Sequence, residues 1–376
     1  MGATPGGPSA HLHSLALRWR AAPVQVCIRC KWRSGMHAKG VGASRDPPTT
    51  ARALMSSSRH SFTASEPRPP LVAILGPTAV GKTSAAISLA ERIGAEVVSG
   101  DSRLIYRGMD IGTAKPSREE RARVRHHLID VAEVDQPWSL ATFRQAALES
   151  IEEIGQRGRI PLLVGGTGQY VTAILDGWEP PALPGDPALR LRLADEASHE
   201  GPQALHARLA ALDPESAQRI DPRNVRRVIR ALEICMITGA PASRQRSRRP
   251  PPFRALRLGL SLPRPELYAR IDARIEAMLA AGWIDEVRHL IERGVSPDAP
   301  AFSAIGYRQL AEVLQGRATL EDAVRSIRRA TREFVRRQAN WFKPDDPRIL
   351  WFQARPGVEA ELEAAFRRWS NEGAGP

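Results

Sequence analysis

The stretch GPTAVGKT, from Gly76 to Thr83, constrains this chain more than any other part of its sequence. Its spacing is G-x-x-x-x-G-K-T, in which the glycines let backbone N–H groups converge on phosphate oxygens. The lysine adds a positive charge, and the threonine hydroxyl can reach a magnesium ion. An apolar run at 71–75 precedes the motif, and apolar or small residues recur at helical spacing from Lys82 to Ile93. The sequence therefore predicts a phosphate-binding loop between a strand and a helix.

Two further apolar runs indicate the fold class. The run AEVVS at 95–99 leads into Asp101, and the run IPLLV at 160–164 leads into a segment that contains Thr167. Alternation of strands and helices predicts an α/β fold, a P-loop NTPase-like parallel sheet flanked by helices, whose ligands lie at the carboxyl ends of the strands. The Asp101 and Thr167 segments should then face the same crevice as the glycine loop.

Changes in composition and patterning predict five parts. The long basic helix is expected from Leu320 to Phe342, and a last strand at 348–352. The parts are residues 1–70, a disordered basic extension; 71–177, the first part of the P-loop α/β core; 178–252, a helical insertion domain that ends in a linker at 243–252; 253–356, the second part of the core with the basic helix; and 357–376, a C-terminal helix or tail.

Much of the net charge of +13 lies in the N-terminal extension. Residues 1–70 contain ten Lys or Arg against Asp46 and Glu66, which gives +8 and leaves +5 for the other 306 residues. A composition rich in Gly, Pro, Ser, Ala and Arg is typical of disorder. A transit peptide and a translation start at Met55 are the alternatives, and we favour a dispensable tail or the later start.

The cysteines and the apolar runs exclude several classes of protein. Cys27 and Cys30 form a single C-x-x-C pair without a second half, so we expect no zinc site there. Three cysteines in 376 residues cannot form a disulfide framework, which favours a reducing compartment. No run approaches the roughly 18 apolar residues of a membrane helix, so we expect no membrane span.

Asp101 is an acidic residue that comes straight after the second predicted strand, 19 residues beyond Lys82. A P-loop ATPase usually has an apolar strand that ends in Asp, whereas the run at 160–164 ends in Gly165 and Gly166. Asp101 follows a strand beside the phosphate loop, where it could contact a nucleophile. It could instead be a helix N-cap, since Gly-Asp-Ser is a good capping sequence. We favour the catalytic interpretation.

Two arginine clusters point to a polyanionic partner. In the long basic helix the arginines recur every three or four residues and share one face: Arg325, Arg328, Arg332 and Arg336. A solvated surface and a phosphate-backbone contact explain this stripe equally well. A second cluster, in NVRRVIRALE, lies in the proposed insertion. Two clusters beside a phosphate pocket favour a nucleic acid as substrate.

At this point the sequence resembles a known family. The motifs GPTAVGKTSAA, SGDSRLIYRGMDIGTAKP, HHLID, LLVGGTGQY, RRVIRALE, AIGYRQL and RRQANWFK occur in this order within about residues 71 to 352. They closely resemble the tRNA dimethylallyltransferases, also called tRNA isopentenyltransferases. The resemblance implies that the loop holds the diphosphate of dimethylallyl diphosphate as a leaving group. The implied acceptor is the exocyclic amine of the adenine 3′ of the anticodon.

The resemblance also implies roles for individual residues. Asp101 would be the base, Lys82 and Arg274 would stabilise the diphosphate, and Thr78 and Thr167 would line the channel between donor and adenine. The implied diphosphate loop is Gly76, Pro77, Thr78, Ala79, Val80, Gly81, Lys82 and Thr83, with Mg²⁺ on Thr83. The implied tRNA contacts are Asp101, Ser102, Arg103, Leu104, Thr167, Arg190, Arg226, Arg227, Val228, Ile229, Arg230, Gly306, Tyr307, Arg308, Arg336, Arg337, Gln338, Trp341 and Lys343. For Gly306 and Tyr307 a role as core turn residues is the alternative.

Two departures from the family pattern, Gln169 and Arg125, affect no implied catalytic role. No cysteine follows Cys235, so the zinc-binding extension of eukaryotic members is absent. The resemblance therefore implies a bacterial-type, cytoplasmic enzyme, and we expect a monomer. The rivals are a P-loop small-molecule or nucleotide kinase, which would transfer phosphate from ATP without tRNA, and an RNA-binding ATPase, whose RNA affinity would depend on nucleotide.

Overall fold

The computed structural model describes residues 68–181, 183, 185–245 and 247–372. The strands there are β1 (Pro70–Leu75), β2 (Ala95–Ser99), β3 (His126–His127), β4 (Ile160–Gly165), β5 (Trp178–Glu179), β6 (Ser247–Arg248), β7 (Arg254–Ser261) and β8 (Ile349–Gln353). The helices are α1 (Lys82–Ile93), α2 (Arg118–Arg123), α3 (Leu140–Gln156), α4 (Gly168–Leu175), α5 (Pro187–His199), α6 (Pro202–Leu212), α7 (Pro214–Arg219), α8 (Val225–Thr238), α9 (Arg264–Ala280), α10 (Trp283–Glu292), α11 (Tyr307–Leu314), α12 (Leu320–Ala339) and α13 (Val358–Glu372). Short 3₁₀ turns lie at Ala242–Gln245 and Pro300–Ser303.

Six strands form a parallel sheet in the order β3-β2-β4-β1-β7-β8. The predicted α/β fold with a parallel sheet flanked by helices is confirmed. The sequence did not predict β3, because two histidines carry no apolar pattern. It also missed the antiparallel pair of β5 and β6, which joins the two ends of the predicted insertion. Strand β6 lies inside the stretch that was predicted to be a linker.

The central strand β1 is buried on both faces, which explains its unbroken apolar sequence. Leu71, Ala73 and Leu75 pack with residues of α3 and α4. Val72 and Ile74 point to the opposite face and pack with residues of α1 and α9 to α13. Since fully burying one such side chain contributes about 1.5–3 kcal/mol, this two-sided core fixes the register of β1 against β4 and β7.

Helices α5 to α8 form their own apolar cluster within the predicted insertion. Asp213 caps α7 and is buried, with hydrogen bonds from Ser216 N at 3.1 Å and from Ser243 N at 2.8 Å. Burial would raise the pKa of this carboxyl, but these hydrogen bonds outweigh it and lower the pKa to about 2. The Asp213 carboxylate therefore ties the helices to the turn at Ala242–Gln245, while the predicted borders of the insertion stay predictions.

The basic helix α12 ends at Ala339, three residues before the predicted end at Phe342. The chain turns there, with Trp341 N and Phe342 N both donating to Gln338 O. Phe342 is buried in the cluster beside α3 and α4, so its packing favours the turn over a further helical residue.

No helix within the described ranges combines the length and apolar content needed to cross a bilayer. Cys27 and Cys30 lie outside the described residues, and Cys235 is buried in the insertion cluster.

Candidate functional site

The phosphate-binding motif connects β1 to α1, as predicted. Gly81 has a φ of +102° and Ala79 a φ of +62°, so the loop turns sharply before the first helical residue, Lys82. Gly76 passes so close to β7 that a Cβ there would lie 2.5 Å from the carbonyl oxygen of Leu260. This path leads into the N-terminus of α1, whose unpaired N–H groups and dipole favour an anion.

The side chain of Lys82 curls back under the loop, and its Nζ donates to Pro77 O at 2.7 Å. Burial lowers the pKa of Lys82 to about 8; the Asp101 carboxylate works against this shift, and the Arg274 guanidinium adds to it. Because the Lys82 ammonium donates to a neutral carbonyl, an incoming anion would stabilise its charged form. Lys82 is thus suited to hold a phosphate group.

A cavity of about 300 Å³ lies at the carboxyl ends of the strands. The predicted residues Thr78, Asp101, Thr167 and Arg274 all line it. They come from the loop after β1, the segment after β2, the segment after β4, and α9. The fold therefore brings together the polar residues that the sequence predicted to act on one reaction.

Asp101 is held in a turn after β2. Its Oδ1 accepts the N–H of Arg103 at 2.8 Å, and the N–H of Ser102 donates to Thr167 Oγ1 at 3.1 Å. No helix begins at Asp101, since the next helix, α2, starts at Arg118. The N-cap alternative for Asp101 is therefore wrong, and its carboxylate lines the cavity instead.

Arg274 reaches the cavity from α9. Burial lowers the pKa of its guanidinium, and the charge of Asp101 opposes that shift. Asp272, the acid two residues earlier on α9, is engaged by Arg332 at 2.6 Å. Arg274 thus brings a partly desolvated positive charge to the cavity, on the side where Asp101 and Thr78 lie.

The arginine stripe of α12 serves two purposes. Arg328 lies 2.7 Å from Glu276, and Arg332 lies 2.6 Å from Asp272, so both join α12 to α9. The sequence left a solvated surface and a phosphate contact as alternatives for these two side chains, and their ion pairs with α9 match neither. Farther along, Arg336 and Arg337 are exposed, and Arg337 also lines the cavity.

A second cavity of about 530 Å³ lies between the core and the insertion helices. Trp178 and Trp341 line it together with four arginines: Arg190, Arg219, Arg227 and Arg230. Aromatic faces interleaved with guanidinium groups are suited to unstacked bases and phosphates of single-stranded RNA. The sequence pointed to Trp341, Arg190, Arg227 and Arg230 but not to Arg219, which follows no recognisable motif.

Two arginines of this cavity share one carboxylate. Arg190 Nε lies 2.8 Å from Glu233 Oε1, and Arg230 bonds the other oxygen of the same group. Burial would raise the pKa of Glu233, but the bonds from Arg190 and Arg230 outweigh it and lower that pKa. Arg190, Arg230 and Glu233 together carry a net charge of +1, so the arginines alone overstate the positive charge that this cluster offers to a polyanion.

Several residues that were predicted to contact tRNA are buried in the core. Val228 and Ile229 pack inside the insertion cluster, and Tyr307 is fully buried beside Gly306. Gln338 is also buried, which leaves these side chains almost no surface to offer. The exposed members of the predicted set are Arg190, Arg226, Arg227, Arg308, Arg336, Arg337, Trp341 and Lys343.

The apolar wall of the first cavity was missed at the sequence level. It is formed by Ile271, Ile275 and Met278 of α9, by Trp283 of α10 and by Phe334 of α12. The spacing of the three α9 residues shows that they share a face with Arg274. That pattern is indistinguishable from an ordinary core face in the sequence, because it says nothing about what lies opposite.

Comparisons with known proteins identify the family of this chain. A family model described as IPP transferase matches residues 104–345, a range that begins just after Asp101. The chain is 52% identical over 301 residues to a protein of Roseiflexus sp. (strain RS-1) named tRNA dimethylallyltransferase. That match covers 80% of this chain and 98% of the relative.

Two solved structures are also similar. One is described as the full-length tRNA isopentenylpyrophosphate transferase from Bacillus halodurans, with 40% identity, a TM-score of 0.61, and coverage of 82% of this chain and 98% of that one. The other is described as a eukaryotic dimethylallyltransferase acting on tRNA, with 26% identity, a TM-score of 0.67, and coverage of 80% and 77%.

Proposed function

This chain belongs to the IPP transferase family, and we propose that it is a tRNA dimethylallyltransferase that uses dimethylallyl diphosphate as its donor. The acceptor is the exocyclic amine of the adenine 3′ of the anticodon, and the products are isopentenyladenosine in tRNA and diphosphate. The observation that carries this proposal is the single cavity lined by Thr78, Asp101 and Arg274, with an apolar wall beside them. A phosphate loop, a carboxylate and an apolar wall suit a donor that has an anionic head and a hydrocarbon tail.

The donor head would lie on the loop from Gly76 to Thr83. Breaking the allylic C–O bond leaves the electron pair, and hence extra negative charge, on the diphosphate. The loop N–H groups, the Lys82 ammonium and the Arg274 guanidinium would stabilise that charge. A cation interacts more strongly with an anion in a buried, low-dielectric site than in water, so the partial burial of Lys82 and Arg274 increases this stabilisation.

The donor set also fits a magnesium ion. Mg²⁺ usually takes one or two protein oxygens and fills its other positions with substrate phosphates and water. The described residues contain no group of three or more His, Cys, Asp or Glu that could hold a metal, so the Thr83 hydroxyl and the diphosphate would be its main ligands. When bound, the ion would neutralise charge on the leaving group.

Asp101 would act on the acceptor. The adenine amine is a weak nucleophile, because its lone pair is delocalised into the ring. The Asp101 carboxylate can accept a hydrogen bond from this amine and take its proton as the new C–N bond forms. The turn bond to Arg103 N leaves Oδ2 available to the substrate.

The tRNA would lie over both cavities. The target base must leave the stacked anticodon loop to reach Asp101, as in other enzymes that modify bases. Exposed cations at Arg226, Arg227, Arg336, Arg337 and Lys343 would contact the backbone, and Trp341 offers a face on which a neighbouring base can stack. A cytoplasmic location and a monomeric state remain part of this proposal.

The relatives support this function over a kinase, the alternative that the loop alone left open. The test is transfer of labelled dimethylallyl from its diphosphate to unmodified tRNA, with Mg²⁺ present and ATP omitted. Label on the adenine beside the anticodon is the expected result. Absence of label without ATP, together with phosphate transfer once ATP is added, would overturn the proposal in favour of a kinase.

A further inference from the structure

The first cavity has both polar and apolar lining residues, and α9 contributes to both. Arg274 is a polar lining residue of α9, and Asp101 and Thr78 line the same cavity. Met278 lines the cavity one helical turn farther on, about 6 Å along the axis at 1.5 Å per residue. A short branched hydrocarbon that starts at the diphosphate would fit along this one turn.

Trp283, the first residue of α10, also lines this cavity. It is only 2% exposed, and two glycines lie against its indole. A Cβ on Gly112 would come within 1.9 Å of the indole, and a Cβ on Gly306 within 2.0 Å. The ring thus fills the space between two backbone segments and has no room to move away.

The surroundings hold this indole in place. Tyr307 meets Trp283 edge to face, with ring centroids 5.9 Å apart and an interplanar angle of 73°. The Tyr307 hydroxyl donates to Glu286 Oε1 at 2.7 Å. Glu286 also accepts the N–H groups of Asp110, Ile111 and Gly112, at 2.7, 2.7 and 3.1 Å. One carboxylate therefore anchors both the tyrosine and the loop that lie against Trp283.

We propose that Trp283 limits the length of the prenyl chain that the enzyme transfers. This inference rests on the proposed function and adds a specificity residue to it. The cavity of about 300 Å³ must hold the hydrocarbon tail of the donor and must also admit the edge of an adenine. A five-carbon dimethylallyl group can share that space, but a ten-carbon geranyl group would run into the indole.

The size of the expected discrimination follows from packing. One excess methylene in a filled pocket costs about 10- to 200-fold in kcat/KM, and the anchored ring cannot yield to relieve the overlap. Geranyl diphosphate carries five more carbons than dimethylallyl diphosphate. The wild-type enzyme should therefore transfer the geranyl group far more slowly, with the same bond changes: C1–O breaks, C1–N forms, and the amine proton is lost.

The experiment compares both donors on unmodified tRNA for the wild type, Trp283→Leu and Trp283→Phe, with products separated by mass. Trp351→Leu is the matched control, because Trp351 is partly buried in β8 and does not line the cavity. Leucine should raise the geranyl-to-dimethylallyl ratio of kcat/KM by at least about tenfold, and phenylalanine by less. The control variant should leave the ratio unchanged.

If Trp283→Leu does not fold, as judged by circular dichroism and thermal unfolding, Trp283→Phe is the variant that tests the inference. The inference about Trp283 is overturned if the wild type uses both donors at equal rates, or if the donor ratio is unchanged in a folded Trp283 variant. In either case, transfer of dimethylallyl leaves the proposed function intact. A ratio that rises as much in Trp351→Leu also overturns it. A wild-type enzyme that transfers neither donor refutes the proposed function itself.

Discussion

The side-chain amide of Gln338 accepts a hydrogen bond from the backbone N–H of Thr78, at 3.0 Å. Its Nε2 donates to Gly166 O at 2.9 Å, so one buried amide bridges the phosphate loop and the segment after β4. Gln338 lies next to Arg337 in α12. The helix whose exposed cations we propose to contact tRNA therefore also supports the loop that would hold the diphosphate.

We predict that Gln338→Ala raises the KM for dimethylallyl diphosphate about tenfold, because it leaves the N–H of the half-buried Thr78 without its acceptor. Gln338→Glu should be worse for the donor, since it places a negative charge beside the diphosphate. The affinity for tRNA, measured by filter binding, should change little in either variant. Gln156→Ala, at an exposed site on α3, is the control for losing a glutamine. A large loss of tRNA affinity with an unchanged donor KM would contradict this prediction and indicate that Gln338 contacts tRNA.

Asp101→Asn should lower kcat at least about 100-fold, which is the smaller end of what a general base contributes. Asparagine keeps an oxygen that can accept the Arg103 N–H, so the turn survives while the base is lost. Asp101→Ala loses both, and its activity should be no higher. Single-turnover transfer measures the chemical step, and tRNA binding should stay within a few fold of the wild type. A fully active Asp101→Asn enzyme would show that another group removes the proton.

The Lys82 ammonium should make donor capture depend on pH. Its pKa in the folded protein is about 8, below the ordinary value of 10.5, and burial is the main cause. Above pH 8 the free enzyme loses this cation, so kcat/KM for the donor should fall as pH rises. The free energy of unfolding should instead rise with pH between pH 8 and 10.5, because in that range the unfolded chain carries a proton on Lys82 that the folded protein lacks.

Both trends can be measured on one set of buffers, by initial rates and by thermal unfolding. Lys82→Arg keeps a positive charge throughout this range, so the fall in kcat/KM should disappear even if the overall rate is lower. Persistence of the same fall in that variant would assign it to a different group.

The polar part of the site was predictable because it follows strand ends. The glycine loop, Asp101 and Thr167 each come directly after a buried strand of the parallel sheet, and parallel strands bring their carboxyl ends to one edge. Arg274 was different, because it came only from the resemblance to a family. Its spacing on α9 is that of any helix face.

The parts that the sequence did not show depend on pairing between distant residues. Trp283 lines the cavity with Gly112 and Gly306 against its indole, and no local sequence pattern records that arrangement. Likewise, the arginine stripe of α12 was ambiguous, because Asp272 and Glu276, which engage Arg332 and Arg328, lie on α9. Single-sequence patterns indicate which faces are polar, but they do not give the partner.

The exposed pair Arg336 and Arg337 should contribute directly to tRNA affinity. Changing both to Ala should weaken binding and reduce the slope of log K against log salt by about 2, since each arginine would neutralise one phosphate of the tRNA backbone. The matched control is Arg367 and Arg368, a second adjacent pair on α13, where Arg367 lies 2.7 Å from Glu363. Both double variants remove two positive charges, so a nonspecific effect of net charge would change the two slopes equally. A lower slope in the α12 variant alone places the phosphate-binding side chains on that helix, and equal slopes would refute this assignment.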